Sequence, residues 1–245
     1  MFHRSTFGGI CVKILCAVGS PRKYGSSYKL AEFAAKGARD AGAEVEMLYL
    51  VDYRIEPCAG CVSDDKMACR YPCIFEDDMK ALYDKVLEAS GVVISTPVYW
   101  YSPPGIVKNF IDRLTALENM AVVEGRSWVE GKVAGVIAVG NDSGSVHAIS
   151  TLLATLVSMG FAIPPWGFAC YNEEREVLED RGVLLDAYNV GRCVAIMCKA
   201  LEREERAWYL DRVEDLGEFV ELVVQNSEKL RRSQADVRRF ARFSP

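Results

Sequence analysis

The stretch ICVKILCAVGSPRKYGSS, residues 10–27, decides the fold. Its first nine residues are nearly all apolar and rich in β-branched side chains, and a Gly-Ser-Pro turn signal ends them. Such a run implies a strand buried on both faces, as in a parallel sheet. Ser26 or Ser27 can then cap a helix, with Leu30, Phe33, Ala34 and Ala38 at helical spacing and Gly42 as its stop. The same alternation continues along the chain. Strands are expected at 44–50, from Gly91 to Thr96-Pro97, at 132–140 and within 161–170, the last broken by Pro164-Pro165. Helices are expected over Asp77–Glu88, Pro104–Leu117 and Ser145–Met159. This order predicts an α/β protein: a doubly wound, five-stranded parallel sheet with helices on both faces. Ligands of such sheets lie at the carboxyl ends of the strands, near the switch in strand order. That rule points to the loops after strands one, three and four.

Composition bounds the rest. The chain has 245 residues, half of them apolar, with net charge −5 and pI near 5.3. One well-buried domain with an extension is expected, and an acidic chain argues against a nucleic-acid partner. No apolar run reaches the length of a membrane span. The amino-terminal apolar stretch runs into a turn with no small-residue cleavage site, so it is taken as the first strand and the protein as cytoplasmic. Residues 1–180 are expected to form the α/β domain, with a cysteine-rich loop at 51–75. Residues 181–245 are expected to form a helical carboxyl-terminal extension packed on the same domain, with a long helical segment over Asp211–Leu230. The final RRSQADVRRFARFSP carries five arginines and suits either a solvated, frayed tail or a subunit contact.

The three loops differ in chemistry. After strand one, Ser20, Arg22, Ser26 and Ser27 lie just before a helix, whose unpaired N–H groups and dipole favour a phosphate. There is no GxGxxG and no GxxxxGKS, so a single phosphate fits better than a pyrophosphate or triphosphate. An ordinary strand–helix turn is the plainer alternative. After strand three, Pro97, Val98, Tyr99, Trp100, Tyr101 and Ser102 set three aromatics in a row. Exposed aromatics suit a flat ring that covers them, or a subunit contact. After strand four, Gly140, Asn141, Asp142, Ser143 and Gly144 let backbone and amide approach a ring edge closely. His147, one of two histidines, is expected to be structural and could still sit near the ring.

These residues resemble a known family. GSPRKYGSSYKL followed by STPVYWYSPPGIVKNFIDR is similar to the NADPH-dependent FMN reductase family of flavodoxin-like proteins. The second segment carries its pattern of a small residue, Pro-x-Tyr, then Lys-x-Phe-x-Asp-Arg at Lys108, Phe110, Asp112 and Arg113. The resemblance covers about residues 10–170. It implies FMN with its phosphate on Ser20, Arg22, Ser26 and Ser27, and its ring against Pro97, Val98, Tyr99 and Trp100. The loop at 140–144 would lie on the ring's far edge.

Cys58, Cys61, Cys69 and Cys73 fall within 16 residues, where an even spread of the nine cysteines would place fewer than one. Four thiolates can hold an iron–sulfur cluster or zinc, and unligated or disulfide-linked cysteines remain the alternative. The resemblance extends to the iron–sulfur flavoprotein branch of the family, which carries a compact cysteine motif here. Its third cysteine falls where this chain has Asp64, with Cys69 later. Cys11, Cys16, Cys170, Cys193 and Cys198 sit in apolar patterns and are expected to pack as small hydrophobes. The leading expectation is an oxidoreductase passing electrons between FMN and a [4Fe–4S] cluster, with no side chain as acid or base. The resemblance implies a homodimer, and a dimer of dimers stays open. A metal-free NAD(P)H-dependent flavin or quinone reductase and a non-catalytic flavin shuttle are the alternatives.

Overall fold

The computed structural model describes residues 12–201, 208 and 216–241. Five parallel strands form one sheet: β1 (Lys13–Val18), β2 (Glu44–Tyr49), β3 (Gly91–Pro97), β4 (Val133–Gly140) and β5 (Phe168–Asn172), in the order β2-β1-β3-β4-β5. This is the flavodoxin-like order, with the switch point between β1 and β3. Helices α1 (Ser26–Asp40), α2 (Met79–Glu88), α3 (Gly105–Arg113), α4 (Thr115–Glu118), α5 (Met120–Glu124), α6 (Ser145–Ser158) and α7 (Arg181–Leu201) complete this unit.

The strand period of two sorts side chains into two layers. Leu15, Ala17, Val92, Ile94, Val136 and Ala138 face α2, α3 and α6, where Leu82, Phe110 and Leu152 are buried. Ile14, Cys16, Val93 and Ile137 face α1 and α7, where Leu30, Ala34, Val190 and Val194 are buried. Central strands apolar on both faces are therefore forced between helices. Close approach of α1 and α7 depends on two glycines. A Cβ on Gly37 would lie 1.9 Å from the Tyr188 carbonyl oxygen, and one on Gly191 would lie 1.9 Å from that of Ala34.

Several boundaries differ from the sequence-based expectations. The α1 N-cap is Gly25, with no side-chain cap, so Ser26 and Ser27 are the first helical residues. The helix expected over Pro104–Leu117 is two pieces, α3 and α4. It tightens at Leu114, whose N–H is shared by the carbonyls of Phe110 (3.2 Å) and Ile111 (3.0 Å). The last strand lies after the proline pair. Ala162 makes one bridge to β4, then Pro164 and Pro165, which have no N–H to donate, interrupt the ladder until Phe168.

Residues Met1–Arg206 form one compact unit and Ala207–Pro245 another. The division thus falls after α7, not at 180, because α7 buries Val183, Ala187, Val190 and Val194 as a covering layer of the sheet. In the second unit, α8 spans Leu216–Ala241. It runs past Leu230 through the arginine-rich stretch, which is helical rather than frayed as far as 241. Residues 211–215, the expected helix start, lie outside the described residues. Among the described residues no helix is long and apolar enough to cross a membrane.

Candidate functional site

The carboxyl ends of β1, β3, β4 and β5 open into a cleft of about 570 Å³. That is the size range of small-molecule and cofactor sites. Three expected loops meet there: Ser20, Arg22, Ser26 and Ser27; Pro97, Val98, Tyr99, Trp100 and Tyr101; and Gly140, Asn141, Asp142 and Ser143.

The first wall follows from the end of β1. The Gly19 N–H bonds the Ser95 carbonyl at 2.8 Å. A Cβ there would sit 2.0 Å from a Val107 methyl, so only glycine lets the chain turn this close to α3. The buried Ser20 Oγ accepts the Arg22 N–H at 3.1 Å, and Gly25 N–H bonds the Arg22 carbonyl at 3.3 Å. Ser95 Oγ donates to the Ser27 carbonyl at 2.6 Å and pins the first turn of α1 to β3. With no side-chain cap and no acidic residue in its first turn, α1 directs its amino-terminal dipole into the cleft beside Arg22. That arrangement suits a phosphate.

The second wall is a two-residue reverse turn. Tyr99 N–H bonds the Ser102 carbonyl at 2.8 Å and Ser102 N–H returns to Tyr99 at 3.2 Å. Between them Trp100 and Tyr101 have φ of 51° and 65°. Turns with both central residues left-handed normally use Gly, Asn or Asp, so two aromatics here are strained. The turn sets Tyr99, Trp100 and Tyr101 along the cleft, and Trp100 is 94% exposed. Gly144, at φ 89°, seats the turn: a Cβ would lie 3.2 Å from the Tyr101 Cα and 3.0 Å from a Val98 methyl.

Two expected residues do not line the cleft. Ser102 closes the turn, and Gly144 supports it from beneath. His147 is exposed on α6 and does not line it either. Sequence reasoning missed Gly25, Val139, Glu173, Glu174 and Arg175. The last three follow β5, so they come to the same edge once that strand is placed at 168–172. Arg175 is held there by Glu173 and by Asp180 at 3.0 Å. The loop after β4 is braced by Asn172, whose Oδ1 accepts the Ser145 hydroxyl at 2.6 Å.

The cysteine loop is folded around Arg113. Its guanidinium is buried and bonds Asp77 at 2.7 and 3.1 Å and the Glu56 carbonyl at 3.0 Å. Asn119 Nδ2 adds bonds to the carbonyls of Lys66 (2.7 Å) and Cys69 (2.6 Å). Cys58, Cys61, Cys69 and Cys73 thereby line one small pocket with Phe75, Arg113 and Thr115. Burial, and then the other three thiols, push the Cys69 thiol up to about 11. The space left is about 20 Å³, near that of one water. Among the described residues no three His, Cys, Asp or Glu side chains stand in an arrangement that could hold a metal ion. Cys58, Cys61, Cys69 and Cys73 carry free thiols; Cys16 and Cys198 are buried, Cys170 and Cys193 half-buried, and Cys11 lies outside the described residues.

The model of the NADPH-dependent FMN reductase family matches residues 12–173. The chain belongs to that family. Its members are FMN-dependent oxidoreductases, and the cleft lies wholly within the matched span but for Glu174 and Arg175. An iron–sulfur flavoprotein of Archaeoglobus fulgidus is 29% identical over 64% of this chain and 67% of its own length. The next two relatives are matched over only 48% and 54% of their lengths. Among solved structures, RosB with a bound formylriboflavin phosphate intermediate aligns at TM-score 0.66 and 18% identity, over 88% of each chain. An archaeal flavodoxin aligns at TM-score 0.52 and 13% identity, over 77% of this chain and 99% of its own. These two likenesses concern the fold.

Proposed function

We propose that this chain binds FMN in the cleft and exchanges electrons between it and a [4Fe–4S] cluster on Cys58, Cys61, Cys69 and Cys73. The observation that carries the flavin half is the meeting of an uncapped helix amino terminus, an aromatic turn and a small polar loop in one cleft. Ser20, Arg22, Ser26 and Ser27 hold the phosphate. Trp100 and Tyr101 cover a ring face, and Asn141 with the backbone of 140–143 bonds the ring edge. FMN supplies the hydride and single-electron chemistry that side chains lack. NAD(P)H is the proposed reductant, and a homodimer or dimer of dimers the proposed assembly.

The cluster half rests on the donor set. Four thiols on one pocket match an iron–sulfur centre in number and kind. Arg113, whose buried Nε has no partner, lines the same pocket, and such a donor suits an anionic sulfur. The relative named an iron–sulfur flavoprotein supports the same reading. The 20 Å³ pocket favours a second reading, a metal-free NAD(P)H-dependent flavin or quinone reductase, unless the loop opens on loading.

The test is an absorption spectrum of protein purified without oxygen, with iron and sulfide assays. Two flavin bands plus a brown shoulder that bleaches on reduction, with matching iron and sulfide, are expected. Flavin bands alone select the metal-free reductase. No flavin binding, even with FMN added, overturns both readings.

A further inference from the structure

Arg113 is more thoroughly fixed than an anchor needs to be. Its two Nη atoms are used on Asp77 and the Glu56 carbonyl, and its side chain and that of Asp77 are 1% and 0% exposed. Tyr83 OH donates to the Arg113 carbonyl at 2.8 Å, and the guanidinium lies 4.7 Å from the Phe75 ring centroid. Asp77, the Glu56 carbonyl and Phe75 set the orientation of the plane, and Tyr83 holds the backbone behind it. The remaining donor, Nε, is buried and has no partner. A buried, unsatisfied N–H costs about 1–3 kcal/mol, so it is an unusual thing for so constrained a group to keep. Arg113 also lines the pocket of the four cysteines, and Cys73 is close enough to act electrostatically on both Arg113 and Tyr83.

We propose that Arg113 is a positioning residue for the sulfur-ligated group, with Nε–H donating to a sulfur of that group while Asp77 holds the guanidinium plane. This rests on the cluster reading above. An N–H donated to sulfur stabilises the more negative, reduced state and so raises the reduction potential. Arg113 would thus set the cluster's potential as well as the loop's shape.

The test compares the wild type with Arg113→Lys, which keeps a cation beside Asp77 and deletes the Nε donor. A second variant, Arg113→Met with Asp77→Asn, removes the pair together and leaves the net charge unchanged. It serves if the lysine variant fails to fold. Each is reconstituted anaerobically with iron and sulfide. Bound FMN, thermal midpoint, iron and sulfide content and the cluster's midpoint potential are recorded. The expected result is a folded, flavin-bearing variant with wild-type iron and sulfide and a more negative cluster potential that lysine does not rescue. A wild-type potential in either folded, fully loaded variant overturns the inference and leaves the cluster reading intact. Wild-type protein that takes up no iron and sulfide overturns the cluster reading, and the inference with it.

Discussion

At the scale of single residues, the cysteines are distinguished by burial more than by number. Cys58 is exposed, whereas burial pushes the Cys16 thiol up to about 12. Since the thiolate is the nucleophile, metal-free protein treated with iodoacetamide near pH 8 should label Cys58 first, Cys69 more slowly and Cys16 not at all. Timed peptide mass spectrometry reads this order; labelling of Cys16 at the rate of Cys58 would show that the core is open. Lys132 gives a pH signature. Its ammonium donates to the carbonyls of Leu87 (2.8 Å) and Ala89 (2.6 Å), yet burial lowers it from 10.5 to about 8. Between those values the unfolded chain binds more protons than the folded one, so stability contributed here rises with pH. Below about pH 8 the burial penalty is fully present. The unfolding free energy of wild type minus that of Lys132→Met should therefore increase from pH 8 to 10 in denaturant titrations. A flat or falling difference would contradict the assignment.

At the scale of elements, two contacts between α1 and α7 leave no room for a side chain. Gly37→Ala or Gly191→Ala forces a methyl to within 1.9 Å of a backbone carbonyl, which no rotamer change relieves. Either should destabilise the fold by about 3 kcal/mol, the upper end of overpacking, and lower the thermal midpoint by roughly 2–4 °C per kcal/mol. A midpoint within a degree of wild type would mean that the helices part freely. The Trp100–Tyr101 turn works the other way. Tyr101→Gly relieves a left-handed residue that costs on the order of 1 kcal/mol, so flavin-free protein should unfold no lower than wild type. Its FMN dissociation constant, measured by flavin fluorescence, should rise roughly tenfold, equivalent to about 1.4 kcal/mol. These elements also show what a sequence makes legible. The buried strands and the loops that follow them are local signals combined with one topological rule, and β1 to β4 emerge close to their true bounds. The place of β5 was hidden because Ala162 pairs before the prolines and the strand proper resumes after them. The strained turn was hidden because Trp and Tyr contradict the propensity of the conformation they adopt. The role of Arg113 was hidden because its partner Asp77 is 36 residues away and meets it only in the folded state.

At the scale of the whole molecule, the sheet, both helical layers and all cleft residues belong to Met1–Arg206. A chain ended at Arg206 should keep its thermal midpoint within about 2 °C and bind FMN with unchanged affinity. Loss of flavin on truncation would assign part of the site to the second unit. Within the first unit, the same sheet edge that forms the cleft also feeds the cysteine loop. β2 leads into that loop, and Asp77 and Arg113 tie its return to α3 directly behind β3. One buried ion pair therefore controls the path of the loop, and breaking it costs about 3–5 kcal/mol because a charge is left stranded.

The rim position of Trp100 has a practical side. The chain has four tryptophans, and this one stands 94% exposed on the cleft wall. Its ultraviolet emission overlaps the near-ultraviolet absorption of a flavin placed against it, so excitation energy passes across the contact instead of leaving as light. Occupancy of the cleft would be written into the protein's own fluorescence, readable in real time without a label.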